Sequence, residues 1–253
     1  MSSSDVIIFN GVSKKYSKRQ VLHNSLREEL INAVFNRSGS SCKLAQDEFW
    51  ALRDVSFNIA KGECVGLHGP NGSGKSTILK LIANVTYPSQ GSVLVNSRVA
   101  PLIELGAGFH PDLSGAENIY MNGAILGLTI REIKRKTPEV LEFSGLEEFI
   151  NVPVKKYSSG MALRLAFSIA IHSSAETFLF DEVLTVGDEG FQEKCIRKID
   201  ELKHQGKTIF VVSHDRNSMN RICDKILHLN GGALGEISSV GAQGELNSLG
   251  VIK

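Results

Sequence analysis

Gly69-Pro70-Asn71-Gly72-Ser73-Gly74-Lys75-Ser76-Thr77 decides the reading of this chain, because it satisfies G-x-x-x-x-G-K-[ST] between an apolar run and a helical one. Phosphate oxygens crowded at one point need many donors and little side-chain bulk. Glycines at 69, 72 and 74 let the backbone curl so that successive N–H groups face inward. The helix that follows adds its positive end. Lys75 places a compact charge between β- and γ-phosphates, and the Ser76 hydroxyl is a hard oxygen ligand suited to Mg²⁺. Composition alone yields such a pattern in roughly two of every hundred chains, and fewer when a strand must precede it and a helix follow. The stretch reads as a nucleotide-binding loop.

Outward from the loop, Cys64 to His68 is a short buried-type strand, and Lys75 to Asn84 is a helix with Ile78, Leu79, Leu81 and Ile82 on its apolar side. Phe178-Leu179-Phe180 and Ile209-Phe210-Val211-Val212 are compact apolar runs that suit central parallel strands. Asp5 to Phe9 is a short β-like run, and Val55 to Ile59 alternates apolar with polar. Ser114-x-x-Glu117 and Thr129-x-x-Glu132 are capping boxes, each starting a helix. This order predicts an α/β domain with a mainly parallel sheet.

Composition narrows the possibilities. Lys+Arg is 28 and Asp+Glu 27, a formal net charge of +1, which supports neither a charge-driven nucleic-acid binder nor a polyacidic tail. Hydrophobic content of 42% with 22% charged residues argues against disorder. Cys42, Cys64, Cys195 and Cys223 are scattered without a C-x-x-C pair, so they read as reduced thiols rather than a disulfide framework or zinc site. Met1 to Asp5 has no basic segment followed by an apolar core, and no run approaches ~18 apolar residues. Neither a signal peptide nor a bilayer span is expected, so any membrane role comes through a partner.

About 45 residues separate the first strand from Val55, too many for a simple connection. Within them Ser25-x-x-Glu28 is another capping box. Leu22, Leu26, Leu30, Ile31, Val34 and Phe35 fall at helical spacing opposite Arg27, Glu28, Glu29 and Asn32. Two readings are open: a surface helix packed on its own domain, or an inserted amphipathic helix that touches a partner or the membrane surface.

Further along, Thr177 to Glu182 is an apolar strand ending in two carboxylates. Asp181 fits a magnesium-organising acid, and Glu182 can orient and polarise an attacking water. An Asp-Glu pair at a strand end also fits a helix start. Tyr157-Ser158-Ser159-Gly160-Met161 leads into an apolar helix, and a Ser-Ser-Gly there is either a second anion site or simply a cap.

The serine turn lies about two dozen residues before Asp181, and together these residues resemble the ATP-binding-cassette (ABC) family, whose L-S-G-G-Q signature precedes its acidic strand by a similar distance. The resemblance runs from about Val6 to about Glu236 and implies a P-loop NTPase fold of ABC ATPase type. That fold has a mainly parallel core sheet, an antiparallel β lobe and a helical signature subdomain. It implies ATP and Mg²⁺, with Gly69, Pro70, Asn71, Gly72, Ser73, Gly74, Lys75, Ser76 and Thr77 on the phosphates. Ser158, Ser159, Gly160 and Met161 would serve the nucleotide of a second copy. Here Tyr157 replaces the signature Leu, Ser159 the first Gly, and Met161 the Gln, whose amide it cannot mimic. The resemblance further implies Glu182 and His214, in Val212-Ser213-His214-Asp215, as catalytic groups. Asp188, in Val186-Gly187-Asp188, would communicate across a dimer. Tyr16 occupies the place of an adenine-stacking aromatic, with Trp50 as its rival. Where the family has a magnesium-ligating Gln, Pro101 to Pro111 offers Glu104.

Three stretches are similar to the polysaccharide and teichoic-acid exporter branch: Glu104 to Ile119, Tyr157 to Ala170, and the insertion before Ala51 to Phe57. That likeness implies a homodimer serving an integral-membrane permease of two copies. The complex would export lipid-linked glycan (O antigen, capsule or teichoic acid) from the cytoplasmic face of the bacterial inner membrane, with no nucleic acid. It favours the partner-facing reading of the inserted helix, called a gate helix in that branch. The expected layout is an ATPase body over residues 1–236, with the gate-type helix at about 24–36 and the helical subdomain at about 112–174, then a tail over 237–253. Some relatives carry a C-terminal carbohydrate-binding module. This chain stops at Lys253, so it is either of a lineage without it or truncated. A soluble ABC ATPase acting on DNA or the ribosome is the other reading of the same motifs.

Overall fold

The computed structural model describes residues 5–17, 47–103, 108–181, 188–213, 216–240 and 246–248. Among these, two sheets are built. Strands β1 (Asp5–Ser17), β2 (Glu48–Ala60) and β4 (Gln90–Val95) form an antiparallel sheet in the order β2-β1-β4. Strands β3 (Cys64–His68), β5 (Val99–Leu102), β6 (Thr177–Asp181), β7 (Thr208–Val212), β8 (Lys225–Asn230), β9 (Ala233–Val240) and β10 (Leu246–Ser248) form the second, in the order β10-β9-β8-β3-β7-β6-β5. Strands β8, β3, β7, β6 and β5 run parallel, while β9 and β10 close one edge antiparallel. This is the expected parallel core with an antiparallel lobe.

Alternation within the apolar runs explains how the core divides. Phe178, Phe180, Ile209, Val211 and Ile226 pack on one face of the parallel sheet, against α4 (Ser159–Ile171), α5 (Glu189–His204) and α6 (Arg216–Ile222). Val65, Leu67, Leu179, Phe210, Val212 and Leu227 face the other way, onto α1 (Lys75–Ile82) and the antiparallel lobe. A strand buried on both faces needs a continuous apolar run, and β6 has one from Phe178 to Phe180 and β7 one from Ile209 to Val212.

Two expected boundaries differ. The first strand continues to Ser17 rather than stopping at Phe9, because β4 pairs with it as far as Ser13 and β2 as far as Ser17, through a series of register shifts. The first helix ends at Ile82 rather than Asn84, because Asn84 turns left-handed at φ 57° and the Val85 and Thr86 amides fold back to the Lys80 carbonyl. The sheet carries on beyond residue 236 through β9 and β10.

Between β5 and β6 the chain builds a helical unit from α2 (Gly115–Ile125), α3 (Ile130–Ser144), two short 3-10 turns (Glu147–Phe149 and Val154–Lys156) and α4. Both expected capping boxes are present. The Ser114 and Thr129 side chains each accept from the backbone three residues on, and Glu117 and Glu132 return the bond. These bonds hold both carboxyls below the usual glutamate range. The unit has its own apolar centre, formed by Ile119, Leu128, Ile133, Val140, Leu146, Leu165 and Ile169. The inserted segment at about 24–36 lies outside the described residues.

Candidate nucleotide site

The loop begins where β3 ends, in the middle of the parallel sheet. β3 is in register with β7 (Leu67 opposite Val212), and β7 with β6 (Val212 opposite Asp181). Three strands therefore end side by side at one edge, the place where open α/β sheets bind ligands. The loop needs its glycines for measurable reasons. Gly72 and Gly74 have φ of 77° and 106°. Gly69 lies so near the β8 backbone that a Cβ there would stand 2.2 Å from the Leu229 carbonyl oxygen. The turn after β8 braces the loop from behind, with the Gly232 amide donating to the Ser73 carbonyl at 3.1 Å and the Arg53 amide to the Gly232 carbonyl at 2.8 Å.

Lys75 is only 7% exposed. Its ammonium donates to the carbonyl oxygens of Gly69 at 2.8 Å and Pro70 at 3.0 Å, so the charge is folded back across the loop's mouth. In front lies a cavity of about 660 Å³, within the range of nucleotide-sized pockets. Tyr16, Phe49, Trp50, Ala51, Asn71, Gly72, Gly74, Lys75, Ser76, Thr77 and Asp181 line it. The structure thus gathers loop, acid and aromatic candidates from four separate strands and helices. Ser76 and Asp181 bring a hydroxyl and a carboxylate to the lining of this cavity, a hard-oxygen donor set that fits Mg²⁺ beside a triphosphate. Gly69, Pro70 and Ser73 complete the loop without lining the cavity.

Both aromatic candidates line the cavity. Tyr16 pairs across the strands with Phe49, their ring centroids 6.1 Å apart, while Trp50 is opposite Lys15. The Lys14 ammonium stands 5.0 Å from the Tyr16 ring centre and is itself held by the Thr86 hydroxyl and Tyr87 carbonyl, each at 2.8 Å. One face of Tyr16 is thereby braced by a cation. Phe49 and Ala51 belong to the wall too. The sequence signal for them was only their place beside Trp50, since lining an open cavity leaves no periodicity.

The serine turn is elsewhere. Ser158 is the N-cap of α4, accepting from the Met161 amide at 3.1 Å, and Ser158 and Ser159 are exposed. Neither they nor Gly160 and Met161 line the cavity. Asp188 is likewise outside it: it caps α5 by accepting from the Phe191 amide at 2.8 Å, and its carboxylate lies 3.9 Å from the Arg164 guanidinium of α4. Arg164 also donates to the Ser144 carbonyl at 2.9 Å and stacks over the Phe191 ring, a junction the sequence did not reveal. Glu104, Glu182 and His214 lie outside the described residues. Their described neighbours, Asp181 at the end of β6 and buried Ser213 after β7, sit at adjacent strand ends.

Known proteins match this arrangement at two levels. The ABC transporter family profile matches residues 52–185. An O-antigen export system ATP-binding protein of Klebsiella pneumoniae is 43% identical, the match covering 92% of this chain and 94% of that protein. A teichoic acids export ATP-binding protein of Listeria innocua is 40% identical over 94% of this chain and 68% of its own length. Among solved structures, the dimeric post-hydrolysis state of an ATP-binding cassette bound to ADP and Pi superposes with a TM-score of 0.73. It covers 93% of this chain and 99% of its own, at 23% identity, a likeness of fold. Among the described residues, no helix is long and apolar enough to cross a membrane.

Proposed function

The chain belongs to the ABC transporter family, and we propose that it is the ATP-hydrolysing subunit of an exporter that drives lipid-linked polysaccharide across the bacterial cytoplasmic membrane. The observation that carries this is a divided site. One cavity holds the phosphate loop, Asp181 and the aromatic wall, while the exposed serine turn on α4 lies outside that cavity. Two copies arranged head to tail complete the site, the Ser158-Ser159-Gly160 turn of each closing on the nucleotide held by the other.

Within that sandwich each group has a task set by its chemistry. The Lys75 ammonium leaves the Gly69 and Pro70 carbonyls for phosphate oxygens, a stronger charge-assisted partner. The loop amides and the positive end of α1 hold the remaining negative charge. Tyr16 takes the adenine face. Ser76, Asp181 and Glu104 would hold Mg²⁺, which when bound neutralises phosphate charge. Glu182 orients the attacking water and accepts its proton, and His214 stabilises charge on the terminal phosphate. Asp188 reports closure across the dimer.

The relatives' names support O antigen or teichoic acid as cargo, and on the same reading, which also admits capsule, the chain serves a permease of two copies from a peripheral position on the cytoplasmic face. On this reading the ATPase body carries the gate-type helix and the helical subdomain, and its sheet runs past residue 236 into the expected tail of 237–253 through β9 and β10. The soluble DNA- or ribosome-associated reading gains no support from these relatives or from a net charge of +1. Co-purification with the neighbouring membrane subunit, followed by ATPase measurement with and without lipid-linked glycan, tests the proposal. Glycan should raise turnover, and hydrolysis should rise with the square of subunit concentration when the chain is dilute. Turnover indifferent to the permease and first-order in the chain would overturn it.

A further inference from the structure

We propose that Tyr157 is a positioning residue for the serine turn, seated by a fit that only glycine at 115 permits. This rests on the reading that the turn closes on nucleotide held by a second copy. Tyr157 is the last residue before the Ser158 cap. Its hydroxyl donates to the Phe149 carbonyl at 2.8 Å and its amide to the Val154 carbonyl at 2.9 Å. Its ring end lies against Gly115, the first residue of α2. A Cβ there would stand 2.3 Å from the tyrosine hydroxyl oxygen, 3.1 Å from Ile150 Cδ1 and 3.2 Å from the Ile150 carbonyl oxygen. Atoms do not approach to 2.3 Å, so a side chain at 115 displaces the ring and breaks its bond to Phe149. A leucine at 157 has no group to make that bond.

The platform that holds the ring is stiff. Val154 and Lys155 amides donate to the Leu113 and Pro111 carbonyls at 2.9 and 2.8 Å, and Gly115 and Ala116 amides donate back to Val152 and Ile150 at 3.2 and 2.9 Å. The Lys155 ammonium meets the Asp112 carboxylate at 2.8 Å, which lowers that carboxyl's pKa. Ser158 and Ser159 beyond this lacing are exposed. Tyr157 is therefore the joint between a cross-linked platform and the leading end of α4, and it sets the direction in which that helix presents its first amides.

The test uses the full chain carrying Glu182→Gln, so that ATP-driven pairing is read without turnover, by light scattering across an ATP titration. Tyr157→Phe removes one neutral hydrogen bond and should raise the ATP concentration for half-maximal pairing about fivefold. Gly115→Ala should raise it about tenfold or more, because overlap moves the whole ring. Gly115→Ala combined with Tyr157→Leu should be no worse than Tyr157→Leu alone. ATP binding by the dilute, unpaired chain should be unchanged in each, the readout a general loss of structure would move. Should Gly115→Ala fail to fold, Tyr157→Phe still decides. Wild-type pairing in Tyr157→Phe, or equal losses in pairing and in single-chain affinity, overturns the positioning role. Failure of the parent Glu182→Gln chain to pair at saturating ATP sinks the two-copy reading itself, and the Tyr157 role with it.

Discussion

Alanine at each of the three loop glycines should separate backbone strain from crowding, because the structure assigns them different burdens. Gly72 has φ 77°, and a methyl group there would find no atom within 4 Å, so Gly72→Ala carries only the left-handed backbone penalty, about 1–2 kcal/mol. At the two to four degrees per kcal/mol usual for a chain of this size, Tm falls by about 2–8 °C. Gly69→Ala meets the Leu229 carbonyl oxygen at 2.2 Å and Ser73 Oγ at 2.7 Å. That carbonyl belongs to the β8 backbone and cannot rotate aside, so overpacking adds about 1–3 kcal/mol. Gly74→Ala carries both burdens: φ is 106°, with the Ala51 carbonyl oxygen at 2.6 Å and Leu52 Cδ2 at 2.7 Å, for about 2–5 kcal/mol together. Thermal denaturation without nucleotide reads these costs in the empty loop. The expected result is that Gly74→Ala loses the most. A Gly72→Ala chain as destabilised as Gly74→Ala, or a Gly69→Ala chain with unchanged Tm, would refute the account of why the loop is built from glycine.

Other consequences are open to single measurements. Glu182→Gln should stop turnover while ATP-bound dimers accumulate on gel filtration, and hydrolysis at the wild-type rate removes Glu182 from the mechanism. Tyr16→Ala should weaken ATP binding by the ~1–3 kcal/mol of a base–aromatic stack, with Trp50→Ala doing less, and the reverse order in a fluorescent-ATP titration reassigns the stack. Burial holds the His172 imidazole below its ordinary value of 6.5, against a Ser168 carbonyl contact at 2.7 Å. The folded chain takes up that proton less readily than the unfolded one, so this stability is complete above about pH 6.5 and is lost as pH falls through the folded value. His172→Gln should flatten the decline of Tm on the acid side, and an unaltered slope would show that another group titrates. Thr129→Ala opens one capping box and should cost about 1 kcal/mol in chemical denaturation. No change there would mean that packing of Ile133 and Val140 alone holds α3.

Local chemistry accounts for what the sequence disclosed. The phosphate loop is contiguous because one turn at a helix start must supply every amide, so its nine residues could be read in order. Capping boxes span three residues, and both were legible along the chain. The strands buried on both faces showed as unbroken apolar runs. The half-exposed end of β1 did not, because it carries Lys14 and Lys15, whose charged ends reach the Thr86 hydroxyl with the Tyr87 carbonyl and the Glu48 carboxylate. Asp181 was visible as an acid closing an apolar strand, whereas Phe49 and Ala51 had no signal of their own. Glu104, Glu182 and His214, named from the sequence, lie outside the described residues, so their roles rest on the proposal.

The sequence by itself determined a nucleotide loop, a parallel sheet beneath it, the two capped helices and the family resemblance, since each is written in residues a few positions apart. Only the tertiary structure decided that Tyr16, Trp50, Lys75 and Asp181 share one cavity while Ser158 and Ser159 stand outside it. The same holds for the fit of the Tyr157 ring against Gly115, which brings the residue before the α4 cap against the first residue of α2. Proximity of that kind comes from strand order and packing, which bring distant segments together without leaving a pattern along the chain.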